Sequence, residues 1–186
     1  MTGFDNLAKR TGLFHRSVIQ PFPLNESAKS RDKAQVCLNG HLINWSFNQS
    51  PEYNQEYCEL CGVETITACP DCSEAIPGKV LKREVVKLTK KRPQYCIHCG
   101  KLYPWTDRMI RAAKDLIKEL HGLSEDDKIK LSDGIEDLVR ETPRANVVIV
   151  QFKKLAKDIG KDGWSALKRV LFELVSKEIK DQFGMT

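Results

Sequence analysis

Tyr57-Cys-Glu-Leu-Cys-Gly-Val-Glu-Thr-Ile-Thr-Ala-Cys-Pro-Asp-Cys72 holds four cysteines as two C-x-x-C pairs with seven residues between them. Two cysteines on so tight a turn can converge on one ion, and a second turn facing the first supplies the remaining two ligands. A glycine after the second cysteine, as in Cys58-Glu-Leu-Cys61-Gly62, permits the positive φ that such a turn uses. Working outward, the same device recurs on both sides. Cys37-Leu-Asn-Gly-His41 lies upstream and Cys96-Ile-His-Cys99-Gly100 downstream. Eight candidate ligands (Cys37, His41, Cys58, Cys61, Cys69, Cys72, Cys96 and Cys99) therefore make four pairs, enough for two closed tetrahedral sites. Soft thiolates select zinc or iron–sulfur chemistry over magnesium or calcium, and two zinc ions are the expected cofactors.

Two pairings satisfy the spacing. Sequential pairing joins Cys37/His41 to Cys58/Cys61 and Cys69/Cys72 to Cys96/Cys99, across intervals of 16 and 23 residues, each long enough for a hairpin. A cross-brace, as in RING-type domains, would join the first pair to the third and the second to the fourth. RING-type spacing usually sets its second and third pairs closer together, so sequential ribbons are expected. His98 competes with His41 as the eighth ligand. Choosing it would give one site five candidates and leave the other three, which favours His41. His15 and His121 read as solvated surface residues. A rubredoxin-like iron site shares the C-x-x-C-G and C-P-x-C elements, but Cys61 and Cys69 are too close for its usual pairing.

Eight ligands for two ions leave no open coordination position, so structural rather than catalytic metal is expected. The deaminase signature needs H-x-E and P-C-x-x-C. Here His41 is followed by Leu42-Ile43, and Pro70 lies inside its pair. A thioredoxin-like βαβ context for a redox C-x-x-C is missing as well. No Gly-rich phosphate loop and no G-x-S-x-G is present. The sequence reads as a non-enzymatic protein.

Around the ligand pairs the chain has strand character. Ile43, Trp45 and Phe47 alternate with polar residues, the period-2 pattern of a half-buried strand. Val80 to Leu88 is rich in β-branched residues and bounded by Pro77-Gly78 and by Lys90-Lys-Arg-Pro93. Residues 36–105 are thus expected to form a double zinc-ribbon module, with residues 1–35 a polar, basic arm and linker. An organellar transit peptide is the alternative for the arm's N-terminal part.

From residue 106 the pattern turns helical. Thr106 is expected as an N-cap between the staple residues Trp105 and Ile110, with Ile110, Ala113, Ile117 and Leu120 on one face and Gly122 as the stop. Ser124 and Asp127 start a second helix, with Leu131, Ile135 and Leu138 inside. Thr142-Pro143 opens a third with Val148, Phe152, Leu155 and Ile159, ended by Gly160. Trp164, Leu167, Leu171 and Leu174 mark a fourth. Residues 106–186 therefore read as an all-α helical bundle.

The 186-residue chain is 41% hydrophobic and 30% charged, an ordinary balance for a soluble protein. No apolar run approaches the ~20 residues of a spanning helix, and the start lacks the apolar core of a secretory signal. With no export signal, reduced thiols and a cytoplasmic location are expected. The formal charge is +5. Seven thiolates subtract seven and two divalent ions add four, leaving about +2, so an argument for nucleic acid rests on local charge. Such charge exists in Lys79, Lys82, Arg83, Lys87, Lys90, Lys91 and Arg92, with Glu84 the one acid among them. These are candidate phosphate contacts on DNA or RNA. Tyr95, Tyr103 and Trp105 could stack on bases, although packing around the metal is the expected role in so small a core. The alternative partner is a protein, docked on or self-associating through the ribbons and the charge-balanced helical half.

The stretch from Cys37 to Thr106 resembles an uncharacterised bacterial family of double zinc-ribbon proteins with a helical tail. The matching residues are Cys37 with Gly40-His41, Tyr57-Cys-Glu-Leu-Cys-Gly62, Thr65-Ile-Thr-Ala-Cys-Pro70, Ile76-Pro-Gly78, Gln94-Tyr-Cys-Ile-His-Cys-Gly100 and Tyr103-Pro-Trp-Thr106. In the tail they are Glu141-Thr-Pro-Arg144 and Phe152-Lys-Lys154. The likeness covers about residues 36 to 186 and implies the ribbon-plus-helices fold without an activity.

Overall fold

The computed structural model describes residues 31–80 and 92–185. Its first part is built from very short strands. β1 (Arg31–Lys33) pairs antiparallel with β5 (Pro77–Val80), and β2 (Gln35–Cys37) lies between β3 (Leu42–Asn44) and β4 (Thr65–Ile66), again antiparallel. Strands this short bury little by themselves. What holds them is a small core of Ala34, Val36, Cys69, Ile76, Cys96, Tyr103 and Trp105.

Several expectations need correction here. The arm was expected to run to residue 35, yet Arg31–Lys33 is a strand and Asp32, Ala34 and Gln35 are buried. The polar composition misleads because its polar groups are used internally. The Asp32 carboxylate accepts from Lys33 N, Asn48 N, Asn48 Nδ2 and Gln49 N at 2.7–3.1 Å. Gln35 Nε2 likewise donates to Gln55 O and Thr65 Oγ1. The alternation Ile43, Trp45, Phe47 also fails as a strand. β3 stops at Asn44, and Asn44 is the buried residue, its Nδ2 donating to Ser50 O and Asn54 Oδ1. β5 begins at Pro77, inside the expected boundary. Backbone pairing requires this, because a Cβ on Gly78 would lie 2.5 Å from Trp45 O and 2.7 Å from Asp32 O. The rest of the expected strand to Leu88 falls outside the described residues.

The second part is helical: α1 (Pro104–Glu119), α2 (Glu125–Arg140), α3 (Ala145–Leu174) and α4 (Lys177–Phe183). Thr106 is not the cap of α1. Pro104 takes the first helical position after Tyr103, where its missing N–H costs nothing. Ser124 caps α2 by accepting from Asp127 N. α3 starts at Ala145 rather than Pro143. It is bent at Gly160 (φ 76°), a backbone conformation no helix contains, so the third and fourth expected helices are its two arms. α4 was not anticipated, although Ser176, which accepts from Ile179 N, and the left-handed Gly184 delimit it by ordinary cap chemistry. The helices enclose a second core that includes Ile117, Leu131, Ile135, Leu138, Phe152, Leu167 and Leu171. No described helix is long and apolar enough to cross a membrane.

The helices are tied directly to the ribbons. Trp105 is the second residue of α1 yet belongs to the ribbon core. Gln94 Nε2 donates to Leu174 O at 2.5 Å, joining the last ligand loop to the end of α3.

Candidate metal centres

Each C-x-x-C turn is built in the same way. An isolated antiparallel bridge forms between the residue before the first cysteine and the third residue after the second: Tyr57 with Glu64, Ala68 with Ala75, Tyr95 with Leu102. Inside it, the first cysteine's N–H donates across the turn: Cys58 N to Val63 O, Cys69 N to Glu74 O, Cys96 N to Lys101 O, at 2.8–2.9 Å. The residue after the second cysteine is left-handed each time, at φ 68° for Gly62, 61° for Ser73 and 72° for Gly100. Glycine takes that conformation without strain. Ser73 shows that the turn imposes it even where the sequence lacks glycine.

The four turns meet two by two. The ligand atoms of Cys37, His41, Cys58 and Cys61 lie within 4.8 Å of one another, as do those of Cys69, Cys72, Cys96 and Cys99. Pairing is therefore sequential. Cys37 Sγ is 3.8 Å from Cys61 Sγ, Cys69 Sγ 3.8 Å from Cys99 Sγ, and Cys72 Sγ 3.6 Å from Cys96 Sγ. His41 Nδ1 is 3.5 Å from both Cys37 Sγ and Cys58 Sγ. Metal–sulfur bonds of about 2.3 Å at tetrahedral angles place sulfurs about 3.8 Å apart, and a nitrogen bonded at about 2.0 Å lies about 3.5 Å from each sulfur. The observed edges match. They are far too long for disulfides, and all seven cysteines are free. His98 is exposed and lies outside both quartets. His121 is exposed too.

The fold favours the thiolate at two sulfurs and opposes it at two others. Burial pushes the Cys37 thiol up, helped by the facing Cys61 and Cys58 and opposed by the N–H groups of His41, 3.2 Å from its Sγ, and Asn39. The Cys61 thiol is pulled down to about 6, first by the Val63 N–H and then, against burial, by His41 and the Cys58 and Cys37 thiols. Cys96 also falls to about 6. Burial opposes this, but the N–H groups of Cys99 and His98 and the thiols of Cys72 and Cys99 prevail. Cys72 is driven the other way, up to about 12. The Glu74 N–H favours its thiolate, but burial and the facing Cys96, Cys99 and Cys69 oppose it. Four thiols crowded together cannot all ionise without a cation between them. A divalent ion resolves that conflict.

The two centres carry different charge. One divalent ion with three thiolates and a neutral histidine sums to about −1, and with four thiolates to about −2. Beside the second quartet Lys101 Nζ sits 2.9 Å from Asp71 Oδ1, linking the third turn to the fourth. Cys99 shares a surface cleft with Lys101, Arg111 and Arg140. Beside the first, His41 lines a cleft of about 610 Å³ with Leu42, Leu60, Arg92, Trp105 and Phe172.

The other candidate residues fare unequally. Tyr103 and Trp105 are fully buried, and Tyr95 is half-buried against the helical core with the Arg140 guanidinium over its ring. Of the basic run, Lys79 is exposed. Arg92 turns inward, with Nη2 3.1 Å from Met109 Sδ and Nη1 3.9 Å from Glu173. Lys82, Arg83, Lys87, Lys90 and Lys91 fall outside the described residues.

Two sequential four-ligand ribbons with a helical tail define a double metal-ribbon protein. The chain belongs to the family DUF2321, described as an uncharacterised protein conserved in bacteria, whose profile matches residues 30–183. No curated protein and no solved structure matches the chain.

Proposed function

We propose that this is a non-enzymatic zinc protein that binds nucleic acid through the basic run beginning at Lys79. The observation that carries the metal half is the closure of both quartets: each offers four ligands at tetrahedral spacing, which suits an ion that holds structure. Zinc suits both sites, including the one with a histidine, whereas a rubredoxin-like iron site takes four cysteine sulfurs. The nucleic-acid half rests on the six cations from Lys79 to Lys91, and on the exposure of Lys79 where that run leaves the described ribbon. Arg92, engaged by Met109 and Glu173, serves the fold instead.

The protein purified without added metal is expected to carry two zinc ions. It should bind DNA or RNA with an affinity that falls steeply with salt, and neutralising Lys82, Arg83 and Lys87 should weaken that binding. No binding at low salt would remove the nucleic-acid half.

A second reading is favoured by a separate observation. Leu42, Leu60 and Phe172 are exposed and line the cleft between the first ribbon and the helices, while Val147 and Val150 are exposed on α3. In this reading the ribbons and helices together dock a protein partner or a second copy.

A further inference from the structure

Lys79, the described start of the basic run, does not stand alone. Strand pairing sets Arg31 opposite Val80 and Lys33 opposite Pro77. Gly78 and Lys79 together therefore oppose the single residue Asp32, the two-against-one count of a β-bulge, which re-aims a side chain. Asp32 and Gly78 are buried there, while Arg31 and Lys79 are exposed and Lys33 is half-exposed. Residues 45–47 close the third side: Phe47 N donates to Lys33 O at 3.0 Å, and Lys79 N to Trp45 O at 2.8 Å. The Lys33 ammonium stands over one face of the partly exposed Phe47 ring, 5.1 Å from its centre, a contact that a stacking base would share or displace. Among the described residues, Arg31, Lys33 and Lys79 make no ion pair, in contrast to Lys101, Arg111, Lys114 and Lys118. Asp32, the acid between Arg31 and Lys33, forms no ion pair with any of the three, its oxygens accepting from the N–H groups and the amide of residues 33, 48 and 49; its charge leaves the edge a net +2.

We propose that this edge is a seat for single-stranded nucleic acid, with Arg31, Lys33 and Lys79 contacting phosphates and the Phe47 ring stacking on a base. The assignment rests on the nucleic-acid reading above and narrows it. Cations beside an aromatic ring are the pattern that tracks an unpaired strand, whose bases are free to stack, whereas a duplex hides those faces. Of the three rings first suspected of stacking, Tyr103 and Trp105 are buried and Tyr95 packs on the helical core, and Phe47 takes that place.

The test is fluorescence anisotropy of zinc-loaded full-length protein with labelled oligo-dT, oligo-rU and a duplex of matched length, across a salt series. The single strands should bind more tightly than the duplex; oligo-dT and oligo-rU show whether sugar identity matters. Arg31→Ala with Lys79→Ala should flatten the log–log salt dependence by about 1.4, the share of two phosphates on a single strand. Phe47→Leu keeps apolar volume but removes the π face, and should cost roughly 5- to 100-fold with an unchanged salt slope. Phe47→Ala should do the same if it folds, as circular dichroism and metal content will report. Binding that survives all three changes, yet disappears when Lys82, Arg83 and Lys87 are neutralised, overturns this seat and leaves the nucleic-acid reading standing. A duplex bound as tightly as the single strands also overturns it. No binding to any of the three probes at low salt removes both.

Discussion

Tyr103 stacks on Trp105, ring centroids 4.6 Å apart and planes 13° from parallel. The pair stands between the two metal centres. Tyr103 feels the Cys96, Cys69 and Cys72 sulfurs, and with its burial these push its hydroxyl well above the usual tyrosine range. Trp105 packs on the first ligand turn, where a Cβ at Gly40 would lie 2.8 Å from the Trp105 Cβ. Its indole N–H donates to Pro93 O at 2.8 Å. Trp105 also lies in the first turn of α1, so one pair of rings joins both ribbons to the helices.

Trp105→Ala should therefore destabilise the protein by about 3–5 kcal/mol, the usual cost of emptying a buried aromatic site. Chemical denaturation in the presence of zinc measures it; a loss below about 1 kcal/mol would mean that the ribbons and helices stand independently.

Tyr103→Phe separates packing from hydrogen bonding. The hydroxyl is buried and has no oxygen or nitrogen partner, and the neighbouring Cys96 sulfur is its natural acceptor once ionised. The variant should keep its circular dichroism spectrum and lose roughly tenfold in metal affinity at the four-cysteine centre, as outer partners of metal ligands do. Chelator competition reads the affinity; an unchanged value would make the ring a packing element only.

Asp32→Ala should cost roughly 2 kcal/mol, because four donors lose a charged acceptor at once. The carboxyl is held below its usual range: burial works against this, and the backbone N–H groups of Lys33, Asn48 and Gln49 and the Asn48 side chain outweigh it. Its contribution is present above the ordinary carboxylate value of 3.8 and is lost only as pH falls further. Denaturation of Asp32→Ala beside the parent at pH 7, with zinc bound, checks the cost; a difference below about 0.5 kcal/mol contradicts it.

Acid should release the metal. Cys61 and Cys96 are pulled from an ordinary value of 9.0 down to about 6, so their thiolate contribution is full above pH 9 and is lost as pH falls through 6 in metal-free protein. A bound ion resists protonation further, which moves release below pH 6. A chromogenic chelator followed from pH 8 to pH 4 records it. Release already complete at pH 7 would contradict the account.

The ligand turns were legible in the sequence because their chemistry is local: two ligands and a turn within five residues. Helix cores were legible by period, as at Ile135, Phe152 and Leu171. What escaped is polar and long-range. Asp32 looks like linker until Asn48 and Gln49 fold over it, and Asn44 looks solvent-facing until Ser50 and Asn54 satisfy it. Arg92 reads as one of seven cations in a basic run until Glu173 and Met109 engage it. α4 was missed because seven residues give too few turns for periodicity, although its caps, Ser176 and Gly184, were in view.

The central claim is two separate four-ligand centres, and metal content per chain tests it most directly. The parent should carry two zinc ions, Cys58→Ser and Cys96→Ser one each, and the double variant none, with His41→Cys retaining two. One ion in the parent, iron in place of zinc, or loss of both ions on changing Cys58 alone would contradict it.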